Sequence, residues 1–246
     1  MEAYAKQAYV WDWDGYDNRE EHEYWRQCAA KHGKNVLLPM CALGEADAYM
    51  ARSGLRVVAF DITEEMIREA EKRFGSVDGL EFRVADIRAF SFPQAAFDFC
   101  YVTNQDLNLL KDANEVERAL HSIHRHMRAG GCLVLELHIG GDESEVFPRR
   151  TFHPRVPNHP GKRVWKENEC RYDGGEKRNY ISQIVYVEDE NGVERFDCSV
   201  SLQYFEREDV LRAIEGSGFR VAGEFRDRQR EPWRPGDREW IVELVK

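Results

Sequence analysis

Along residues 36–139 short apolar runs alternate with segments whose apolar positions recur every three or four residues, the rhythm of strands and helices taken in turn. Val36–Cys41 (VLLPMC) reads as a strand buried on both faces, with Gly44 in the loop after it. Ala46–Ser53 is helix-like and ends at Gly54, and Leu55–Phe60 (LRVVAF) is a second buried strand that stops at Asp61. Thr63 is placed to cap a helix whose Glu64 and Glu65 suit the positive end of its dipole and whose Met66, Ile67 and Ala70 form an apolar stripe. Leu80–Val84, before Asp86, is a third strand and Phe97–Val102 (FDFCYV) a fourth. Glu115–Met127 puts Val116, Leu120, Ile123 and Met127 on one helical face, and Gly130-Gly131 turns into a fifth strand, CLVLELHI. This spacing predicts an α/β architecture of right-handed crossovers and a mainly parallel sheet, with ligands at the C-terminal strand ends. Function is therefore expected near residues 40–45, 61, 86, 104 and 138.

Beyond Ile139 the pattern changes. Arg149–Lys166 holds six Lys/Arg, three prolines and no acid, which reads as an irregular basic loop that could meet an anionic substrate. Two long strand-like runs, Arg178–Glu188 and Val193–Tyr204, are joined by Asp189–Gly192 and predict a hairpin. Arg207–Glu215 is a short helix ended by Gly218, and Phe219–Phe225 and Glu239–Val245 are expected to pair as closing strands.

Over 246 residues the net charge is −10, which argues against a broad phosphate-binding surface, so no nucleic-acid partner is expected. No apolar run reaches the length of a membrane span, and the N-terminus lacks the basic, apolar, small-residue order of an export signal; a cytoplasmic protein is expected. The six scattered cysteines contain no CxxC and predict reduced, mostly buried thiols. His121 and His124 share a helix face while His126 lies off it, so no metal site is expected.

A strand, a tight loop and a helix, followed by an acid at the end of the second strand, is a cradle for an adenosine ligand, because one carboxylate can accept both ribose hydroxyls. Asp61 is that acid. The loop Met40–Glu45 offers one glycine and sets Glu45 at the helix start, which disfavours a diphosphate and suits a cationic sulfonium better. Asp86 is placed to accept from an adenine amino group.

The runs VLLPMCALGEADAYMARSGLRVVAFDITEEMIREAEKRF, VADIRAF, FDFCYVTNQDLNLL and HRHMRAGGCLVLELH resemble, motif after motif over residues 36–138, the class I S-adenosylmethionine-dependent methyltransferases. The tail SLQYFEREDVLRAIEGSGFRVAGEF is also similar to theirs, and an antiparallel insertion before it looks like that of the small-molecule branch that includes glycine and aminosugar N-methyltransferases. Where that family reads G-x-G-x-G, this chain has Met40, Ala42 and Gly44, keeping only the last glycine. The resemblance implies a Rossmann-like methyltransferase fold: a mainly parallel seven-stranded sheet, helices on both faces and an antiparallel β insertion. It would be a single domain with an N-terminal lid and helix (1–34), a cofactor-binding core (35–140), a β-rich substrate cover (141–205) and a closing helix and strand pair (206–246).

It further implies S-adenosyl-L-methionine as cofactor, with Met40, Ala42 and Gly44 in the loop, Asp61 on the ribose, Ile62 and Met66 against the adenine, Asp86 and Ile87 at its edge and Asn104 near the methionine moiety. His138 is the candidate base, and Trp13, Tyr16, Gln105, His138 and Tyr204 are candidate substrate contacts, with Tyr9, Trp11, Trp13 and Tyr16 forming an aromatic lid. The expected reaction is in-line transfer of a methyl group to a small molecule, at nitrogen by resemblance, by a monomer or homodimer. Transfer to oxygen or sulfur, or cofactor binding without catalysis, are the alternatives.

Overall fold

The computed structural model describes residue 8 and residues 18–93, 96–140, 146–152 and 161–246. They fall into two compact units, the larger built from residues 19–140 and 203–246 and the smaller containing residues 141–202.

The larger unit is a seven-stranded sheet in the order β11-β12-β5-β4-β1-β2-β3. Its strands are β1 (Asn35–Pro39), β2 (Arg56–Asp61), β3 (Leu80–Val84), β4 (Phe97–Val102), β5 (Met127–His138), β11 (Arg220–Phe225) and β12 (Glu239–Val245). β1 to β5 run parallel, and β12 pairs antiparallel with both β5 and β11. The helices are α1 (Arg19–Ala30), α2 (Glu45–Arg52), α3 (Glu64–Phe74), α4 (Ala113–His126) and α5 (Arg207–Ser217).

Period-two alternation decides which face each residue takes: Val36 and Leu38 of β1 pack with Trp25, Met50 and Ile67 of α1 to α3, while Leu37 packs with Leu120, Ile123 and Ile214 of α4 and α5. Both faces are thus covered, which is why the strands read as nearly continuous apolar runs. The chain leaves β1 toward β2 and β3 and later returns to β1's other side as β4. Strand order therefore reverses between β1 and β4, and the crevice at their C-terminal ends is where such sheets bind ligands.

Two of the boundaries that differ from the sequence reading have a visible cause. Gly130-Gly131 lie inside β5, because the register slips between Phe97 and Phe99 and lets β5 begin at Met127. α4 begins at Ala113, since the Asp112 side chain accepts from Glu115 N at 3.0 Å and caps it.

The smaller unit is an antiparallel sheet in the order β10-β8-β7-β6, with β9 also on β8: β6 (Phe147–Phe152), β7 (Arg163–Asp173), β8 (Arg178–Asp189), β9 (Gly192–Asp197) and β10 (Val200–Gln203). The expected hairpin is present, but its second run breaks at Cys198-Ser199, where Asp197 Oδ1 accepts from Ser199 N at 3.0 Å. The expected irregular loop over 149–166 is strand at both ends. Its cations face acids that adjacent strands bring opposite: Arg149 lies 3.3 Å from Glu169, Arg163 3.4 Å from Glu188 and Lys162 3.7 Å from Asp189. Those partners are absent from the basic segment itself.

Candidate active site

The loop after β1 keeps the backbone that glycines serve without keeping the glycines. Met40 (φ 58°), Ala42 (φ 47°) and Gly44 (φ 77°) are all left-handed, in the three positions of the G-x-G-x-G pattern. A side chain in that region costs about 1–2 kcal/mol, so the loop is held by its contacts. Cys41 N donates to Phe60 O at 3.1 Å, Gly44 N to Cys41 O at 2.9 Å and Ala42 N to Asp61 Oδ2 at 3.2 Å. Ala42→Gly is therefore expected to stabilise the fold by about 0.5–1 kcal/mol, the relieved strain exceeding the added chain entropy; a chemical-denaturation midpoint that falls would contradict the strained loop.

Asp61 ends β2 and holds two loops at once, since its Oδ1 accepts from Thr63 N at 2.8 Å while Oδ2 holds Ala42 N. Thr63 occupies the N-cap of α3, but its hydroxyl makes no capping bond. Ile62 is 42% exposed beside Asp61, whereas Met66 and Ile87 are buried. Asp86 is engaged within its own turn: Arg88 grips it through Nε (2.9 Å to Oδ1) and Nη2 (2.6 Å to Oδ2) and holds its carboxyl below the usual range. Arg88 also reaches Glu115 at 2.8 Å.

After β4 the backbone turns left-handed twice, at Asn104 (φ 55°) and Gln105 (φ 61°), before a short 3-10 turn, Asp106–Leu109. Consecutive non-glycine residues in this region are the kind of strain that gathers at binding sites. The turn is tied down: Asn104 N donates to Glu136 Oε2 at 3.1 Å, and Arg228 bridges Glu136 and Glu21, both at 3.0 Å. Burial, reinforced by Asp61, Glu136 and Glu21, pushes the Asp106 carboxyl well up. Burial likewise raises the Cys41 thiol, with Asp47, Asp61 and Asp106 adding to it. The mouth of the crevice is thus rich in acid.

His138, at the end of β5, is buried, and its Nδ1 lies 2.9 Å from Glu239 Oε1 while its ring centroid is 4.8 Å from that of the buried Tyr204. Asn108 fixes the strand end, accepting from His138 N at 3.2 Å and donating to His138 O and Gln203 O at 2.8 and 2.7 Å. The carboxylate assigns the proton to Nδ1, the arrangement of an oriented base. Trp13 and Tyr16 lie outside the described residues, as do the other lid aromatics.

Several of these groups escape sequence reasoning: Asp47, Asp106, Asn108, Glu136, Arg228 and Glu239. Glu136, an acid within the apolar run LVLELH, carried a visible signal; the others carry none until the chain folds.

Residues 36–131 match the family model described as a methyltransferase domain. The chain thus carries a methyltransferase domain, within the fold of the class I, S-adenosylmethionine-dependent methyltransferases. This methyltransferase is 24% identical over 209 residues to the putative methyltransferase YqeM of Bacillus subtilis, covering 83% of this chain and 82% of the relative. Its fold superposes on an S-adenosylmethionine-dependent methyltransferase from Clostridium acetobutylicum with a TM-score of 0.78 at 16% identity, covering 98% of each chain. It likewise superposes on the sugar N-methyltransferase KedS8 from Streptoalloteichus, with a TM-score of 0.76 at 20% identity over 96% of this chain and 91% of that one. No helix among its described residues is long and apolar enough to cross a membrane.

The residues present fit S-adenosylmethionine on chemical grounds. A strand-end carboxylate whose oxygens each hold one amide has lone pairs left for two hydroxyls. The exposed Ile62 is apolar surface next to it, and the acid-rich mouth suits a cationic sulfur. Two polar atoms near that mouth, Trp25 Nε1 and Arg228 Nε, are buried without a partner, and Arg228 lies over the Trp25 ring at 5.6 Å.

Proposed function

We propose that this methyltransferase acts on a nitrogen of a small-molecule amine, by in-line displacement. The observation that carries this is the set of carboxyl groups Asp61, Asp106 and Glu136 near the C-terminal ends of β2, β4 and β5, acceptors that suit the N–H groups of an amine better than an anion. The likeness to a sugar N-methyltransferase supports the same acceptor class. When bound, S-adenosylmethionine supplies an electrophilic methyl group on a sulfonium. Met40, Ala42 and Gly44 of the loop would hold it, Asp61 would accept the ribose hydroxyls, and Ile62, Met66, Asp86 and Ile87 would hold the adenine. Asn104 approaches the methionine moiety. Gln105 and Tyr204 are the acceptor contacts. Six free thiols, five of them buried, support a reducing, cytoplasmic setting.

Displacement at an already electrophilic carbon requires alignment and exclusion of water more than covalent chemistry. An amine arriving as an ammonium must first lose its proton. His138 takes it at Nε2, with Glu239 stabilising the charge that develops on the ring. The test is transfer of labelled methyl from S-adenosylmethionine to matched panels of small amines, alcohols and thiols. Label is expected in amines, and His138→Asn should lower kcat about 100-fold or more with KM little changed. Incorporation confined to alcohols or thiols would overturn the nitrogen assignment, and an unchanged kcat would remove His138 from the reaction.

A further inference from the structure

Asp47 is the third residue of α2, directly behind the loop Met40–Gly44, and is 2% exposed. The hydrogen bond its carboxylate receives comes from its own backbone amide, and among the described residues no cation pairs with it. Three groups face it from the elements around it: the Cys41 thiol in the loop, Asp61 at the end of β2 and the Tyr101 hydroxyl on β4. Behind these, Asp106 faces Cys41 and Asp61, and Glu21 on α1 faces Tyr101 together with the Arg228 that is bonded to Glu21 and Glu136. The helix N-terminus favours an acid at this place, but its amides do not replace lost hydration. A buried carboxylate behind the cofactor loop, with Asp61 adding a charge of its own sign, lacks one thing, a cation.

We propose that Asp47 reads the charge on the cofactor's sulfur, releasing a proton to solvent as S-adenosylmethionine binds and keeping it when the neutral thioether S-adenosylhomocysteine binds. The physical basis is Coulombic. A positive charge entering a poorly hydrated site favours the ionised carboxylate, and the thioether brings no such charge. The two forms of the ligand then differ in affinity by more than their contacts alone dictate, which speeds exchange of spent product for fresh cofactor. Burial, with Asp61 adding to it, pushes the Asp47 carboxyl of the empty protein up to about 8. Ionisation on binding is therefore a change of state at neutral pH. The sign follows: affinity for the sulfonium rises with pH toward 8 and levels above it, while affinity for the thioether lacks this component.

The experiment is calorimetric titration of the full chain with S-adenosylmethionine and, separately, S-adenosylhomocysteine, in buffers of different ionisation enthalpy so that released protons are counted. Both ligands carry an α-amino group that can itself titrate, so the difference between the unaltered chain and the Asp47→Asn variant is what counts. Near neutral pH the sulfonium is expected to release about one proton more than the thioether, and its relative affinity to rise about tenfold from pH 6 to 8. Asp47→Asn, which keeps the shape of the protonated acid, should abolish both differences and leave thioether affinity within about twofold. The variant stays folded, because a carboxyl raised in the native state lowers stability as pH rises from 3.8 toward 8, a penalty asparagine removes. Equal proton release for the two ligands, or an Asp47→Asn variant that weakens both alike, would overturn the role of Asp47. Failure of both ligands to bind the unaltered chain would instead overturn the cofactor assignment itself.

Discussion

Asp61→Ala is expected to weaken binding of S-adenosylmethionine by two orders of magnitude or more. A hydrogen bond to a charged group contributes about 1.5–3 kcal/mol, so two ribose hydroxyls on one carboxylate correspond to a factor of roughly 10² to 10⁴. The substitution also removes the acceptor that joins Ala42 N of the β1 loop to Thr63 N at the head of α3, leaving the strained loop without one of its ties. Asp61→Asn separates the two effects. Its amide oxygen can still accept from one backbone amide, so the loop stays better supported while the charge is lost, and an intermediate loss of about tenfold is expected. Calorimetry on the three proteins checks this, and equal affinity for all three would remove Asp61 from the cofactor site.

The second large effect lies a few residues earlier, at Gly44. It is left-handed (φ 77°), and a Cβ built there would stand 2.5 Å from the Phe82 ring. Gly44→Ala thus adds a left-handed penalty of about 1–2 kcal/mol to an overpacking cost of about 1–3 kcal/mol. At about 2–4 °C per kcal/mol for a chain of this size, Tm should fall by roughly 4–20 °C. Because the ring is half of the clash, Phe82→Leu in the Gly44→Ala background should recover part of the loss, though Phe82→Leu alone destabilises. Strict additivity of the two substitutions would contradict the contact. Of the three pattern positions, this is the one where a steric neighbour explains the retained glycine.

Much of the sheet was legible because its physics is local. Strands buried on both faces must be apolar in their interiors, and β1, β2 and, apart from Asp98, β4 are; the acids after the apolar runs of β2 and β3 then stand out as Asp61 and Asp86. What the chain does with the loop between Met40 and Gly44 was not legible. The residue types suggest a degraded pattern, and only the dihedrals reveal that Met40 and Ala42 keep the left-handed form. Asp86 shows the reverse, an acid visible in sequence whose grip by Arg88 depends on side-chain geometry.

The remaining site groups were hidden by distance along the chain. Glu239 reaches His138 across 101 positions, and Arg228 reaches Glu136 across 92. Asp47 sits in an ordinary helical segment, and nothing in EADAYMAR distinguishes it from the exposed Glu45 until Tyr101 and Cys41 close around it. The basic segment 149–166 misled for the same reason: strand pairing, not composition, supplies its acids.

We propose that a loop with one glycine, held in the three-glycine conformation, is a working S-adenosylmethionine site. Equilibrium dialysis of the full chain against labelled S-adenosylmethionine tests it most directly. One equivalent per chain is predicted, with a Kd of tens of micromolar or tighter, in the range typical of enzyme ligands, displaced by S-adenosylhomocysteine and lost in Asp61→Ala. No saturable binding up to about 1 mM, the upper end of that range, would contradict it.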